Sequence, residues 1–243
     1  MKKIVSLLLA GAMVVLMTAC QNSAREGMTE AVSTSERTES ESTAAADMDA
    51  ETENSPQTDT EAADEAESAG SNTLVAYFSL AGEQYNVGVI EEGNTSIIAH
   101  MIAEQTGAEL FEIEAVYPYP DTHSALLDVS RQEMAENARP EIAGTVDNMA
   151  EYDTVFIGYP NWWGDMPMIV YNFIESYDFS GKTIVPFCTH GGSGLSGTER
   201  TIADMTGAAM ADGFAISGET AQNNRERSRA EVTAWLQGGG FIE

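Results

Sequence analysis

Three short stretches of this chain are apolar almost without interruption: TLVAYFS (73–79), DTVFIGYP (153–160) and KTIVPFCT (182–189). A half-buried strand alternates apolar with polar residues. Runs with no polar face need cover on both sides, which a parallel sheet between two helical layers supplies. The intervening segments fit that arrangement. NTSIIAHMIAEQTG (94–107) carries Ile97, Ile98, Met101 and Ile102 at helical spacing and ends on Gly107. AELFEIE (108–114) alternates as a strand, while MPMIVYNFIESY (166–177) and SGTERTIADMTGA (196–208) read as helices. GFAIS (213–217) is a short strand, and NNRERSRAEVTAWLQ (223–237) closes as a helix with Val232, Trp235 and Leu236 on one side. The expected fold is α/β, a doubly wound sheet of five parallel strands. Residues 115–150 interrupt the rhythm, with a helix expected around Ser124–Glu136.

The sequence before this domain reads differently. Lys2 and Lys3 precede an apolar run, Ile4–Met17, with the shape of a secretory signal. At about 1.5 Å per residue the run spans roughly 21 Å, short of a bilayer core of about 30 Å. Met17-Thr18-Ala19-Cys20 resembles a bacterial lipoprotein signal, in which the Cys becomes the acylated N-terminus. Met17 stands where Leu is commoner. Residues 1–20 are thus expected to be an address, with Cys20 as lipid anchor. Gln21–Asn72 contains no Phe, Tyr, Trp, Ile or Leu and is rich in Ser, Thr, Ala, Glu and Asp. It has too little apolar surface to offset the entropy of ordering, and reads as a disordered acidic linker at 21–72. The folded domain is placed at 73–243.

Charge narrows the functions. The chain carries 11 Lys and Arg against 39 Asp and Glu, for a net charge of −28. Such a surface repels phosphate backbones, which argues against nucleic-acid binding. Two cysteines, Cys20 and Cys188, lie in unlike segments, and three histidines leave little for a transition-metal site. Cys188 falls in a run expected to be buried, where a thiol is inert. His190 and Ser193 lie close together, but Gly191–Leu195 does not complete a GxSxG nucleophile turn.

In a doubly wound sheet ligands bind beyond the carboxyl ends of the strands, where strand order reverses. Three loops there are rich in Gly, hydroxyl or aromatic residues: 79–95, 159–167 and 189–197. Gly93-Asn94-Thr95 opens a helix whose unpaired amides attract an anion, and Ser79 and Thr95 add hydroxyls. With no lysine, this loop is not a Walker A motif. The plainer alternative is that Asn94 or Thr95 only caps the helix. Trp162 and Trp163, within Pro160-Asn161-Trp162-Trp163-Gly164, can stack on a flat conjugated ring or fold back as an apolar lid. Thr189-His190-Gly191-Gly192-Ser193 is a loop that admits close backbone approach, with His190 as donor to a ring or buffer of negative charge, or else a simple connector.

Taken together these parts resemble the flavodoxin family over about residues 73–237. YFS (77–79) with GNT (93–95) is similar to its phosphate loop. GYPNWWG (158–164) and PFCTHGGSG (186–194) are similar to its two loops against the flavin ring. FEIE followed by YP, Arg139-Pro140 and DFSGKT (178–183) match one subgroup. The resemblance implies non-covalent FMN and strand order 2-1-3-4-5. It implies cofactor contacts at Ser79, Leu80, Gly93, Asn94, Thr95, Pro160–Gly164 and Thr189–Ser193. One departure is evident: Ala81–Glu92 separates the Ser from the Gly-Asn-Thr, which the family usually keeps in one short loop. Tyr85 or the Glu91-Glu92 pair is placed to line or shield the site.

The function so implied is single-electron transfer between partner proteins outside the cytoplasm. The domain, with 7 Lys and Arg against 25 Asp and Glu, has a net charge of −18, which steers basic redox partners toward it. Two other readings stay open: an FMN-dependent reductase passing hydride from NAD(P)H to a quinone or other small acceptor, and a flavin-free binding module.

Overall fold

The computed structural model describes residues 72–243, so the signal at 1–20, Cys20 and all of the linker but Asn72 lie outside the described residues. The elements run in the order β1 (Thr73–Tyr77), β2 (Gly82–Gln84), β3 (Gly88–Ile90), α1 (Asn94–Thr106), β4 (Glu109–Glu112), β5 (Glu114–Ala115), α2 (His123–Glu136) and β6 (Ile142–Ala143). A 3-10 turn at Met149–Glu151 leads into β7 (Thr154–Pro160), α3 (Met168–Glu175), β8 (Thr183–His190), α4 (Thr198–Thr206), β9 (Ala209–Met210), β10 (Phe214–Ser217), α5 (Gly218–Asn223) and α6 (Arg225–Gly238).

The main sheet has the order β4-β1-β7-β8-β10, with every pair parallel. Counted along the chain this is 2-1-3-4-5, the order anticipated. The apolar runs at 73–79, 153–160 and 182–189 are its three central strands. Successive side chains of a strand point to opposite faces, and the core divides accordingly. Leu74, Ala76, Val155, Ile157, Tyr159, Ile184 and Cys188 pack on one face with Ile169 and Phe173 of α3 and Ile202 of α4. Val75, Tyr77, Phe156, Val185 and Phe187 pack on the other with Ile98 and Ile102 of α1 and Val232 and Leu236 of α6. Fully burying each such side chain contributes about 1.5–3 kcal/mol, which is what an unbroken apolar run supplies to both layers at once.

The edges depart from the sequence reading. The fifth strand comes in two pieces, β9 and β10, both paired to β8. The strand read at 108–114 breaks after Glu112, and Glu114–Ala115 instead forms an antiparallel ribbon with β6 inside the excursion. The segment Ala81–Glu92 is an antiparallel hairpin of β2 and β3 rather than an irregular loop. The last helical stretch begins earlier than read, with α5 preceding α6.

All five parallel strands end at the same edge of the sheet. The segments that follow β1, β7, β8 and β10 therefore converge there, and Asn161 N–H donates to Thr189 O at 2.8 Å to tie the β7 and β8 loops together. Within the α3 face of the core, Phe173 is fully buried, stacks on Phe111 and packs against Tyr177 and Phe179. We expect Phe173→Ala to lower stability by about 3–5 kcal/mol, as deletion of a buried aromatic does, seen as a lower urea midpoint at unchanged slope.

Candidate functional site

The helix α1 begins where β1 ends, although Ala81–Glu92 lies between them in sequence. Ser79 Oγ accepts from Ser96 N–H at 3.0 Å. A Cβ placed on Gly93 would stand 2.1 Å from Ser79 Oγ and 2.7 Å from Leu80 O, so only glycine lets the two strands of chain meet there. The hairpin leaves and rejoins at one point, and the short loop is rebuilt in space. Gly93 is the N-cap residue and has no side chain to cap with, so the first-turn amide of Ser96 is served by Ser79, and the plainer role of Asn94 or Thr95 as a cap is not what the structure shows. First-turn amides at Asn94 and Thr95 have no partner within the helix. They border a recess of about 10 Å³ lined by Ser79, Leu80, Asn94, Thr95, Pro160, Trp162 and Thr189 among others.

Thr95 is pinned from the other side. Its Oγ1 lies 2.9 Å from Thr189 Oγ1, and both residues are buried. Asn94 reaches further into the groove. Its Oδ1 is buried and has no hydrogen-bond partner among the described residues. Such a group costs about 1–3 kcal/mol unless something donates to it.

Beyond the recess the edge opens into a cavity of about 640 Å³. This is within the 300–1,000 Å³ typical of small-molecule and cofactor sites. Asn94, Pro160, Asn161, Trp162, Trp163, Gly164, Thr189, His190, Gly191, Gly192 and Ser193 all line it. With the recess, these include every site residue named from sequence except Gly93, which stands behind Ser79 as the hinge of the corner.

The two tryptophans differ. Trp162 is half-buried and meets Phe78 and Tyr119 edge-on, at ring-centroid distances of 5.6 Å each. Trp163 is 45% exposed. The pair sits on a tight turn: Trp162 and Asp165 exchange both backbone hydrogen bonds, and φ is +59° at Trp163 and +82° at Gly164. Positive φ at both central residues is the pattern of a type I′ turn. For a bulky residue it costs about 1–2 kcal/mol, and such outliers gather at ligand sites. The turn is paid for locally by Asn161, whose Oδ1 accepts from Gly164 N–H and whose Nδ2 donates to Gly194 O and Ser196 Oγ. Trp163 Nε1 donates to Ser130 Oγ at 3.0 Å, and the Arg131 guanidinium lies 4.3 Å from the Trp163 ring centroid.

His190 Nδ1 accepts from Gly192 N–H at 2.9 Å. That assigns the proton of the neutral ring to Nε2. Burial lowers the His190 pKa, so near pH 7 it offers an N–H donor rather than a cation. Cys188 is buried, donates to Gly194 O, and has its pKa pushed up to about 12 by burial. It is an inert thiol, as read from its strand. No Lys or Arg lines the cavity or the recess.

Part of the cavity wall was not read from sequence: Gln84 comes from the hairpin, His123, Leu126, Leu127 and Ser130 from α2, and Gly218 from the start of α5, directly after β10. The stripe His123, Leu126, Leu127, Ser130 has helical spacing and was available as a signal. Gly218 follows a strand ending at the same edge and is implied by topology. Of the residues proposed to shield the site, Tyr85 does line it, whereas Glu92 pairs with Arg225 at 3.2 Å and accepts at its carbonyl from Gln222, away from the cavity. Among the described residues no cluster of His, Cys, Asp and Glu is arranged for a metal.

The flavodoxin sequence model matches residues 72–237. A Bacteroides uniformis structure assigned to the flavoproteins is 33% identical, with a TM-score of 0.57, covering 69% of this chain and 99% of that one. A second, from Bacteroides eggerthii, is 29% identical with a TM-score of 0.55, covering 69% and 97%. A flavoprotein of Lactobacillus acidophilus, solved in complex with FMN, is 22% identical with a TM-score of 0.47, covering 59% and 91%. No curated protein sequence matches the chain.

The His190 geometry is measurable. We expect ¹⁵N NMR to show Nε2 protonated and Nδ1 bare at pH 7, with a titration midpoint below the ordinary 6.5. Because the folded state holds its proton less tightly than the unfolded chain, the stability tied to this residue is present above pH 6.5 and falls as pH drops through the folded midpoint.

Proposed function

The chain belongs to the flavodoxin family, and on that premise we propose that it is an FMN-binding electron-transfer protein, held outside the cytoplasm by a lipid on Cys20 and the acidic segment 21–72. The carrying observation is a single groove that joins an anion-ready helix start to an aromatic wall. The residues fit FMN end to end. Ser79 and the amides of Asn94 and Thr95 suit its phosphate, which would be held by dipoles and hydrogen bonds alone. The orphaned Asn94 Oδ1 suits a hydroxyl of the ribityl chain. Trp162 and Trp163 form a wall for the flat ring, and His190 Nε2–H is a neutral donor on the β8 loop. FMN, when bound, supplies the redox chemistry.

The chain's residues set the conditions for it. The Trp turn and the β8 loop orient and desolvate the ring. Neutral His190 adds no positive charge there, and the acidic domain makes further negative charge in the groove costly, which favours a low potential for the second electron. Of the seven basic residues in the domain, Arg139, Arg225, Arg227 and Arg229 are in ion pairs and Lys182 is buried, donating to Tyr152 O. The surface left to a partner is negative, which supports basic redox proteins as donors or acceptors. The membrane attachment rests on the Met17–Cys20 motif. Among the described residues no helix is long and apolar enough to cross a membrane.

A second reading, an NAD(P)H-dependent reductase of a small acceptor, draws on Leu126 and Leu127, which give the groove an apolar side where a quinone-like molecule would fit.

Purified protein, mixed with FMN and desalted, is expected to retain flavin absorbance and to reduce in two separate one-electron steps. Direct two-electron reduction by NADPH would favour the reductase instead, and loss of all flavin would leave a fold without this function. Replacing Trp162 or Trp163 by Ala is expected to weaken FMN binding by about fivefold each, from about 1 kcal/mol of lost stacking with its area. Unchanged affinity and unchanged flavin fluorescence in both single variants and the double variant would remove the tryptophans from the site.

A further inference from the structure

The β2–β3 hairpin is held at both flanks and spans the groove between them. On one side Glu83 N–H donates to Asp121 O at 2.8 Å, and the Glu83 carboxylate accepts from His123 N–H at 3.0 Å, at the start of α2. On the other, Glu92 binds Gln222 and Arg225, in α5 and α6. The roots of the hairpin are Leu80 and Gly93, the corner of the anion recess. Its tip touches the two glycines that floor the opposite bank. A Cβ on Gly191 would stand 2.8 Å from Tyr85 Cδ1, and one on Gly218 would stand 3.5 Å from Val87 Cγ2.

Tyr85 is the side chain this arrangement presents to the cavity. Its ring stacks on His123 at a centroid distance of 5.8 Å and an interplanar angle of 29°. It lines the groove together with Trp162 and Trp163. The β8 loop it rests on, Thr189–Ser193, offers glycine backbone and no aromatic ring but His190. Yet Tyr85 remains 61% exposed, and no hydrogen bond of its hydroxyl is present among the described residues. A large ring held in the open by ring and backbone contacts alone, over a cavity wide enough for a cofactor, has surface to bury only when the cavity is filled.

Resting on the flavin reading above, we infer that the hairpin is a strap across the cofactor groove and that the Tyr85 ring is its closing wall, slowing FMN release. The strap grows out of the anion recess, so a bound phosphate fixes both of its roots. The tip then lies over the bank where the β8 loop has no bulk of its own. An exported domain that must hold a non-covalent cofactor depends on release being slow rather than on resupply.

The experiment is the dissociation rate of FMN from the full, flavin-loaded chain, followed by the recovery of free-flavin fluorescence after dilution. Tyr85→Ala is expected to release FMN about tenfold faster than wild type, and Tyr85→Phe at the wild-type rate, since the ring and not the hydroxyl forms the wall. Replacing Gly82–Ile90 by two glycines is expected to speed release at least as much. Wild-type release rates in Tyr85→Ala and in the hairpin replacement overturn the strap and leave the flavin reading standing. Fast release from Tyr85→Phe also overturns the assignment to the ring. A wild-type chain that retains no FMN overturns both.

Discussion

The buried hydroxyl pair Thr95–Thr189 is the join on which the site depends. Thr95 is on the first turn of α1, and Thr189 is near the end of β8, two strands away from β1 in the sheet. Their contact at 2.9 Å ties the helix start to the end of β8. Ser79 then completes the corner by accepting from Ser96 N–H. Ser79, just past β1, thus serves the helix at that amide, while Asn94 lines the groove and keeps a buried Oδ1 without a partner among the described residues. These contacts bring the anion recess and the polar side chain of Asn94 to one corner of the sheet edge.

How much of this was legible follows from where burial is complete. The central strands have no solvent face, so sequence alone marked them, and their parallel ends placed the three loops together. Helix α1 was marked by Ile97, Ile98, Met101 and Ile102 and by Gly107, whose φ of +70° is the left-handed stop that glycine permits. What was not legible is held by tertiary contacts rather than by pattern. The hairpin strands Gly82–Gln84 and Gly88–Ile90 are too short to show a period, and Val89 is 83% exposed. They exist because Asp121, Gln222 and Arg225 receive their flanks. β9 has only Ala209 and Met210, which no periodicity identifies. The turn at Trp163 contradicts local preference, since bulky residues avoid positive φ. Gly164 marked a turn, but only the bracing by Asn161 explains why Trp163 occupies its first central position.

The electrostatics of the groove follow from the same economy of cations. An acidic domain that bound a phosphate through Lys or Arg would draw those side chains toward its own carboxylates. Here most basic residues are committed to ion pairs at the surface, worth little each when exposed. The recess relies on backbone dipoles, which have no such competing partner. Arg131 is the instructive exception. It is close to the site, yet it lies over the Trp163 ring and not in the cavity lining. There it steadies the ring by a cation–π contact of about 0.5–1 kcal/mol at an exposed position without placing positive charge among the groups that line the groove.

The two aromatic banks of the groove are therefore built to different stabilities. The Trp bank is locked: a type I′ turn with reciprocal backbone bonds, three hydrogen bonds through the Asn161 side chain, and Trp162 wedged between Phe78 and Tyr119. The opposite bank is a short hairpin fixed at its flanks and resting at its tip on glycine. Local opening follows the lowest-stability element, and of the two banks the hairpin has the fewer bracing contacts at its tip. The same asymmetry makes the Trp bank, with its exposed Trp163, the fixed wall of the groove.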